Sequence, residues 1–294
     1  MFSKLKGKIL FKKLLSRPDI NKAYAMVDES DSWYDTIKTV HNSLALIKQN
    51  HSEVLEIISE DNLKLKGIFY PCNNSKKTMI WVHGYTSHAE RESALPGLFY
   101  RSLGYNVLIP YLRAHDISEG KYISFGSLES EDLMIWVRKV NELIIDGDII
   151  IHGLSMGGGT TLFASNKEME NVKCLIVDAP STSIRGFFEG VSKEVFNNDA
   201  NKIANYAIKK YYKEFKRNVD DYEAINIVKN SKYPILLTAG SNENMEDILN
   251  ELANNNPHET EILILPGCNH GNGMYKQTKL YQDRIISFLN KHLM

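Results

Sequence analysis

The chain has 294 residues, 43% of them hydrophobic and 24% charged, a soluble globular mix that excludes a fibrous or disordered protein. Its formal net charge of −1 provides no overall attraction for nucleic acid. Cys72, Cys174 and Cys268 are too few and too scattered for a disulfide framework or a metal-ligand set. A reducing cytoplasm suits them, and no metal or other cofactor is expected.

In chain order, the segment 1–22 carries Lys4, Lys6, Lys8, Lys12, Lys13, Arg17 and Lys22 against the single acid Asp19. Phe2, Leu5, Ile9, Leu10, Phe11, Leu14 and Leu15 are expected to share one helical face. The longest apolar run, 9–11, is far too short for a membrane span or a signal core. Two readings follow: a lysine-rich helix packing one face on the domain, or an interfacial helix on anionic lipid at the inner membrane surface. With a helix over 32–49, an N-terminal helical extension of 1–50 is expected.

A strand over 54–59, the turn Asp61-Asn62 and a returning strand over 63–70 read as a hairpin. Apolar strands then follow at 78–82, 106–110, 148–152, 172–178, 234–239 and 261–265. Helices are expected from the turn after 82 through Leu103, over 128–142, from the turn after 152 through Ser165, and over 278–293. Short, fully apolar strands alternating with helices predict a doubly wound α/β fold, its mostly parallel sheet covered on both faces and opened by the antiparallel hairpin. The core is assigned to 51–180 and 234–294.

The segment 181–233 is too long for one crossover helix. Its aromatic residues, among them Phe187, Phe188, Tyr211 and Tyr212, recur at helical spacing. Ligands of such sheets bind at the carboxyl ends of the strands, so the segment reads as a helical cap insertion with Phe187 or Phe188 facing the site. An enlarged crossover packing on the sheet is the competing reading. Lys209, Lys210 and Lys213 beside Tyr211 and Tyr212 fit a solvated helix face whose aromatic side is buried.

Chemistry concentrates in Gly153-Leu154-Ser155-Met156-Gly157, set between an apolar strand and a small-residue helix. A serine hydroxyl is a weak nucleophile until a base can reach it. This pattern turns a strand sharply into a helix and leaves the hydroxyl at the apex. Other segments extend the pattern: Trp81-Val82-His83-Gly84-Tyr85 after a core strand, Arg113-Ala114-His115-Asp116-Ile117-Ser118-Glu119-Gly120 after another, and Pro266-Gly267-Cys268-Asn269-His270-Gly271 near the end.

On these segments the chain resembles the α/β-hydrolase superfamily, and within it bacterial serine esterases and peptidase-like hydrolases, from about Val54 onward. The resemblance implies Ser155 as nucleophile and His270 as general base, with the backbone amides of Tyr85 and Met156 as the oxyanion hole. His83 is read as shaping its loop, His152 as a strand-end packing residue and Cys268 as a buried thiol. The acid belongs in the loop Gly240-Ser241-Asn242-Glu243-Asn244-Met245. Similar enzymes carry aspartate three residues beyond the glycine, and here that position is Glu243, with Asp178 as the competing acid. The pattern Asp-x-Arg-Gly-His-Gly-x-Ser is altered, with Tyr111, Ala114 and Asp116 at its acidic and two glycine positions.

The implied reaction is hydrolysis of a carboxylic ester or related acyl bond through an acyl-serine, its partner a small-molecule acyl substrate. Acyl transfer and peptide cleavage would use the same residues. A non-catalytic ligand-binding protein on the same fold is the reading from a different class.

Overall fold

The structure, a computed structural model, describes residues 2–19, 33–196 and 199–293. Eight strands form one sheet in the order β1-β2-β4-β3-β5-β6-β7-β8. They are β1 (Glu53–Ile58), β2 (Lys64–Tyr70), β3 (Lys77–Val82), β4 (Asn106–Pro110), β5 (Asp148–Leu154), β6 (Val172–Asp178), β7 (Ile235–Gly240) and β8 (Thr260–Leu265). The hairpin β1–β2 and the β2–β4 pairing are antiparallel, and the remaining pairings are parallel. β4 and β7 are buried at every position, whereas β1, at the sheet edge, buries only Ile57. Helices cover both faces of the inner strands, which is why those strands read as unbroken apolar runs.

Around the sheet lie α1 (Phe2–Leu15), α2 (Ile37–Ile47), α3 (Ala89–Ser102), α4 (Ser127–Leu143), α5 (Met156–Ala164), α6 (Ile184–Val195), α7 (Ala200–Phe215), α8 (Ala224–Ile227), α9 (Glu246–Asn255), α10 (Gly273–Lys276) and α11 (Thr278–His292). Alternate residues of β5 serve different cores. Ile149 and Ile151 join Phe11, Trp136, Phe163 and Phe188 on one face, and Ile150 joins Ile47, Tyr100, Tyr281 and Phe288 on the other. Each large side chain so buried contributes roughly 1.5–3 kcal/mol.

Three differences from the sequence reading have physical causes. The seven apolar residues of the N-terminal segment do not share a face: Leu10, Phe11, Leu14 and Leu15 are buried, and Phe2, Leu5 and Ile9 are exposed. At 3.6 residues per turn these two sets project from opposite sides of α1. The helix expected from 32 begins with a 3-10 turn at Tyr34–Thr36 and continues as α2; Ser32, like Lys22, lies outside the described residues. α9 was not anticipated, because its polar stretch offers few apolar residues, of which Leu249 and Leu252 are buried.

The segment 181–233 is helical, carrying α6, α7 and α8. Phe188 and Tyr211 are fully buried. The Tyr211 hydroxyl donates to the Ser124 carbonyl at 2.7 Å, so α7 is fastened to the chain entering α4.

Candidate active site

Ser155 stands between β5 and α5 with φ 58° and ψ −117°, a left-sided backbone conformation that few non-glycine residues adopt. Backbone bonds hold it there. Its amide donates to the Asp178 carbonyl at 2.8 Å, and its own carbonyl accepts from Gly159 at 2.9 Å and Ser181 at 3.0 Å. α5 starts so close to β3 that a Cβ on Gly157 would lie 1.9 Å from the Val82 carbonyl oxygen. Only glycine fits, which explains the second residue after Ser155 in the motif.

β7 ends at Gly240, and the single 3-10 turn Ser241–Glu243 follows. Gly240 donates its amide to Glu243 Oε1 at 2.8 Å, which fixes the carboxylate. The other oxygen, Oε2, meets His270 Nδ1 at 2.5 Å, and His270 Nε2 lies 2.9 Å from Ser155 Oγ. Asn242 ties the two loops together through Asn269 Oδ1 at 2.9 Å. A carboxylate at Nδ1 selects the tautomer that leaves Nε2 free to accept from the serine hydroxyl. The hydrogen bond that His270 donates to Glu243 also raises the His270 pKa above its ordinary value, outweighing desolvation.

The structure thus brings Ser155, His270 and Glu243 into one hydrogen-bonded chain. Asp178, the competing acid, is placed elsewhere in the network: its Oδ2 accepts from the Tyr281 hydroxyl at 3.0 Å, and burial raises its pKa to about 6 despite bonds from Thr238 and Tyr281. The Tyr281 hydroxyl also meets His152 Nε2 at 3.2 Å, and Tyr100 meets His152 Nδ1 at 3.1 Å. Burial lowers the pKa of that imidazole to about 3, so it is a neutral packing element.

Met156 is the first residue of α5, and its amide is among those a helix leaves without an intrahelical acceptor. Tyr85 follows Gly84 in the loop leaving β3. His83 shapes that loop by bonding both ways, through Nδ1 to the Gly84 carbonyl at 2.8 Å and through Nε2 from the Leu112 amide at 3.1 Å. The Tyr85 ring sits edge-on to Phe125 and Phe187, and its hydroxyl donates to the Leu14 carbonyl at the end of α1.

Glu92, on the first turns of α3, was missed by the sequence reading. Its half-buried carboxylate accepts from Trp81 Nε1 at 2.9 Å and from the Gly84 amide at 3.1 Å, pinning the loop that carries Tyr85. Burial raises its pKa to about 7, against the hydrogen bonds from Ser87, Trp81 and Gly84. In the sequence it is indistinguishable from any acid near a helix start. Glu92→Ala leaves two buried donors without an acceptor, so a loss of about 1–3 kcal/mol of stability is expected. If it positions the loop, kcat on a small ester should fall about tenfold or more with KM little changed. A melting shift with kcat untouched would leave Glu92 a structural role only.

Beside Ser155 and His270 opens a cavity of about 320 Å³. Its walls include Leu154 and Tyr275 from the core, Arg91 and Glu92 from α3, and Trp33, Ile37 and Val40 from the N-terminal extension. Trp33 packs edge-on against Tyr275 with ring centroids 5.2 Å apart. Among the described residues, none that lines it belongs to 181–233. The expectation that Phe187 or Phe188 faces the nucleophile across a cavity is therefore replaced. Phe187 stacks on Phe125 at 3.7 Å, behind Tyr85, and Phe188 is in the core.

In the loop after β4, Ala114 (φ 60°) and Asp116 (φ 42°) both adopt left-handed backbone where glycines were expected from the resemblance. The loop keeps the glycine conformation at a cost of roughly 1–2 kcal/mol per residue. Arg113 anchors it through Asp132 at 2.8 Å and Asp61 at 2.9 Å. Cys268 is buried. Among the described residues no cluster of three or more ligating side chains is arranged to hold a metal ion.

Over residues 118–294, more than half of the chain, the sequence matches the model of the prolyl oligopeptidase family. The chain belongs to the prolyl oligopeptidase family. The matched stretch of this family member contains Ser155, Glu243 and His270, while Tyr85, Glu92 and the N-terminal extension lie before it. A stretch of 174 residues is 31% identical to the Bacillus subtilis (strain 168) protein YqkD, covering 58% of this chain and 53% of that one. The chain thus spans about half the length of that relative. Among solved structures, the Pyrococcus furiosus esterase Pf2001 superposes with a TM-score of 0.66 at 22% identity, over 96% of this chain and 98% of that one. An α/β-hydrolase from Vibrio vulnificus gives 0.66 at 21% identity, over 95% and 92% of the two chains. Est1E from Butyrivibrio proteoclasticus, bound to ferulic acid, gives 0.61 at 17% identity, over 81% and 99%. These likenesses show the α/β-hydrolase fold. This prolyl oligopeptidase family member therefore has that fold.

Proposed function

We propose that the protein hydrolyses carboxylic esters of apolar acyl groups through an acyl-Ser155 intermediate. The observation that carries this reading is the Glu243–His270–Ser155 hydrogen-bonded chain opening into an apolar-walled cavity. Ser155 Oγ adds to the ester carbonyl carbon as its proton passes to His270 Nε2. The oxyanion so formed is held by the Tyr85 and Met156 amides. Collapse breaks the ester bond, and the His270 proton leaves with the alcohol. Water, deprotonated by His270, then releases the acid and restores Ser155.

Labelling of the intact protein with a fluorophosphonate, mapped by peptide mass, tests the reading. The adduct is expected on Ser155; a protein that neither labels nor turns over any activated ester would be a binding protein on a hydrolase fold. Peptide cleavage is the second reading, favoured by the family match. Comparing p-nitrophenyl butyrate with a prolyl p-nitroanilide separates the two, and the ester is expected to be turned over far faster.

The cavity wall supplied by Trp33, Ile37 and Val40 sets acyl preference under this proposal. Trp33→Ala removes an aromatic wall, and contacts of this kind are worth about 1–3 kcal/mol in discrimination. The octanoyl-to-acetyl ratio of kcat/KM is therefore expected to fall about tenfold. An equal fall on both esters would mean that the extension supports the site without contacting the acyl chain.

A further inference from the structure

We infer that α1 docks the protein onto an anionic lipid bilayer through its outward face. The face opposite the packed side of α1 is apolar. Phe2, Leu5 and Ile9 are 82%, 57% and 53% exposed, far more than a helix covered by its own domain leaves open. With 3.6 residues per turn, they form one ridge, flanked on one side by Lys8 and Lys12 and on the other by Lys6 and Lys13. No acid occurs in α1, so five lysines stand on this helix in a chain whose overall charge is −1.

The ridge cannot turn inward. Gly7 brings α1 so close to α7 that a Cβ there would lie 2.4 Å from Tyr206 Cβ and 2.8 Å from the Ile203 carbonyl oxygen. Leu10, Phe11, Leu14 and Leu15 already fill the inner face. α7 adds exposed Lys202 and Lys209, the second with its ammonium 5.7 Å from the Tyr206 ring centre. An apolar ridge between two rows of lysines suits insertion among acyl chains with the ammonium groups at the phosphates. It suits a protein partner less well, since an apolar protein groove would also have to be acidic along both rims. Among the described residues no helix is long and apolar enough to cross a membrane, so the contact is interfacial. Docking would bring the bilayer to the helix whose last turn holds Tyr85.

The full chain should be sedimented with vesicles of phosphatidylcholine alone, and with vesicles carrying about one third phosphatidylglycerol. Most of the protein is expected on the anionic vesicles at low salt, little on the neutral ones, and less on either at about 0.5 M salt. Leu5→Ser combined with Ile9→Ser should weaken binding at least about tenfold, and Lys8→Gln with Lys12→Gln should do so on anionic vesicles alone. Both pairs are exposed, so melting temperature and turnover of a soluble ester should not move. Ser155→Ala should bind vesicles like the wild type, which separates this inference from the proposed chemistry. Equal sedimentation with neutral and anionic vesicles, or undiminished binding by the Leu5/Ile9 variant, would overturn it. So would a wild-type dimer that this variant converts to monomer, because a second copy would then cover the ridge.

Discussion

Ser155→Ala is expected to lower kcat on a short activated ester by about a millionfold, the loss typical of removing the nucleophile from an intact triad. What remains would come from the oxyanion amides and from binding. The fold should survive, because the backbone holds the turn without the hydroxyl: the Ser155 amide and carbonyl are both bonded, to Asp178 and to Gly159 and Ser181. Alanine carries the same Cβ into the same φ of 58°, so no new strain arises. Circular dichroism melting and ester turnover measured on one preparation check both parts. Turnover near the wild-type value would remove Ser155 from the chemistry altogether.

Glu243→Gln is expected to cost roughly a hundredfold to ten-thousandfold in kcat, less than His270→Ala. The carboxylate does not itself move the proton; it holds Nδ1–H and stabilises the imidazolium that forms. An amide in its place can present NH₂ to Nδ1 and favour the wrong tautomer. The pH profile carries a sign as well. The proposed reaction requires neutral His270, whose pKa is raised above the ordinary value mainly by the Glu243 hydrogen bond. The acid limb of kcat/KM should therefore have its midpoint above about 6.5, the value of an isolated imidazole. In Glu243→Gln the plateau falls while that midpoint moves to lower pH. Asp178→Asn should cost less than about tenfold, since the Asp178 carboxylate is engaged by Tyr281 and Thr238. An active Glu243→Gln beside an inactive Asp178→Asn would transfer the role to Asp178.

The parts of the site readable in sequence are those whose meaning is local. The elbow needs a strand, a serine between glycines and a helix, and all of these are contiguous from Asp148 to Ala164. The His270 loop directly follows β8, and Glu243 lies three residues past the glycine ending β7. Glu243 reaches His270 from a position where aspartate was expected because the 3-10 turn at Ser241–Glu243 and the Gly240 amide aim the longer side chain at Nδ1. Ala114 and Asp116 belong to the opposite class. Their residue types argued for an altered loop, yet Arg113, bonded to Asp132 and Asp61, accompanies a loop that holds both in left-handed backbone.

The sequence by itself determined the alternation of buried strands and helices and the antiparallel opening hairpin, and it singled out Ser155 and His270 while leaving Glu243 and Asp178 as rival acids. Each depends on residues within about twenty positions of one another, where periodicity and turn chemistry act. Tertiary structure alone decided which distant segments meet. The wall of the cavity comes from Trp33, Ile37 and Val40, more than a hundred residues before Ser155, because α2 packs on α3 beside that strand end. The long segment 181–233 has the aromatic content of a cap, yet α7 packs on α1 and buries Tyr211 beside Ser124 and Ser127. Helical periodicity says that an apolar face must be covered, but not by what, since apolar burial is non-directional and the partner is set by which surfaces the topology brings together.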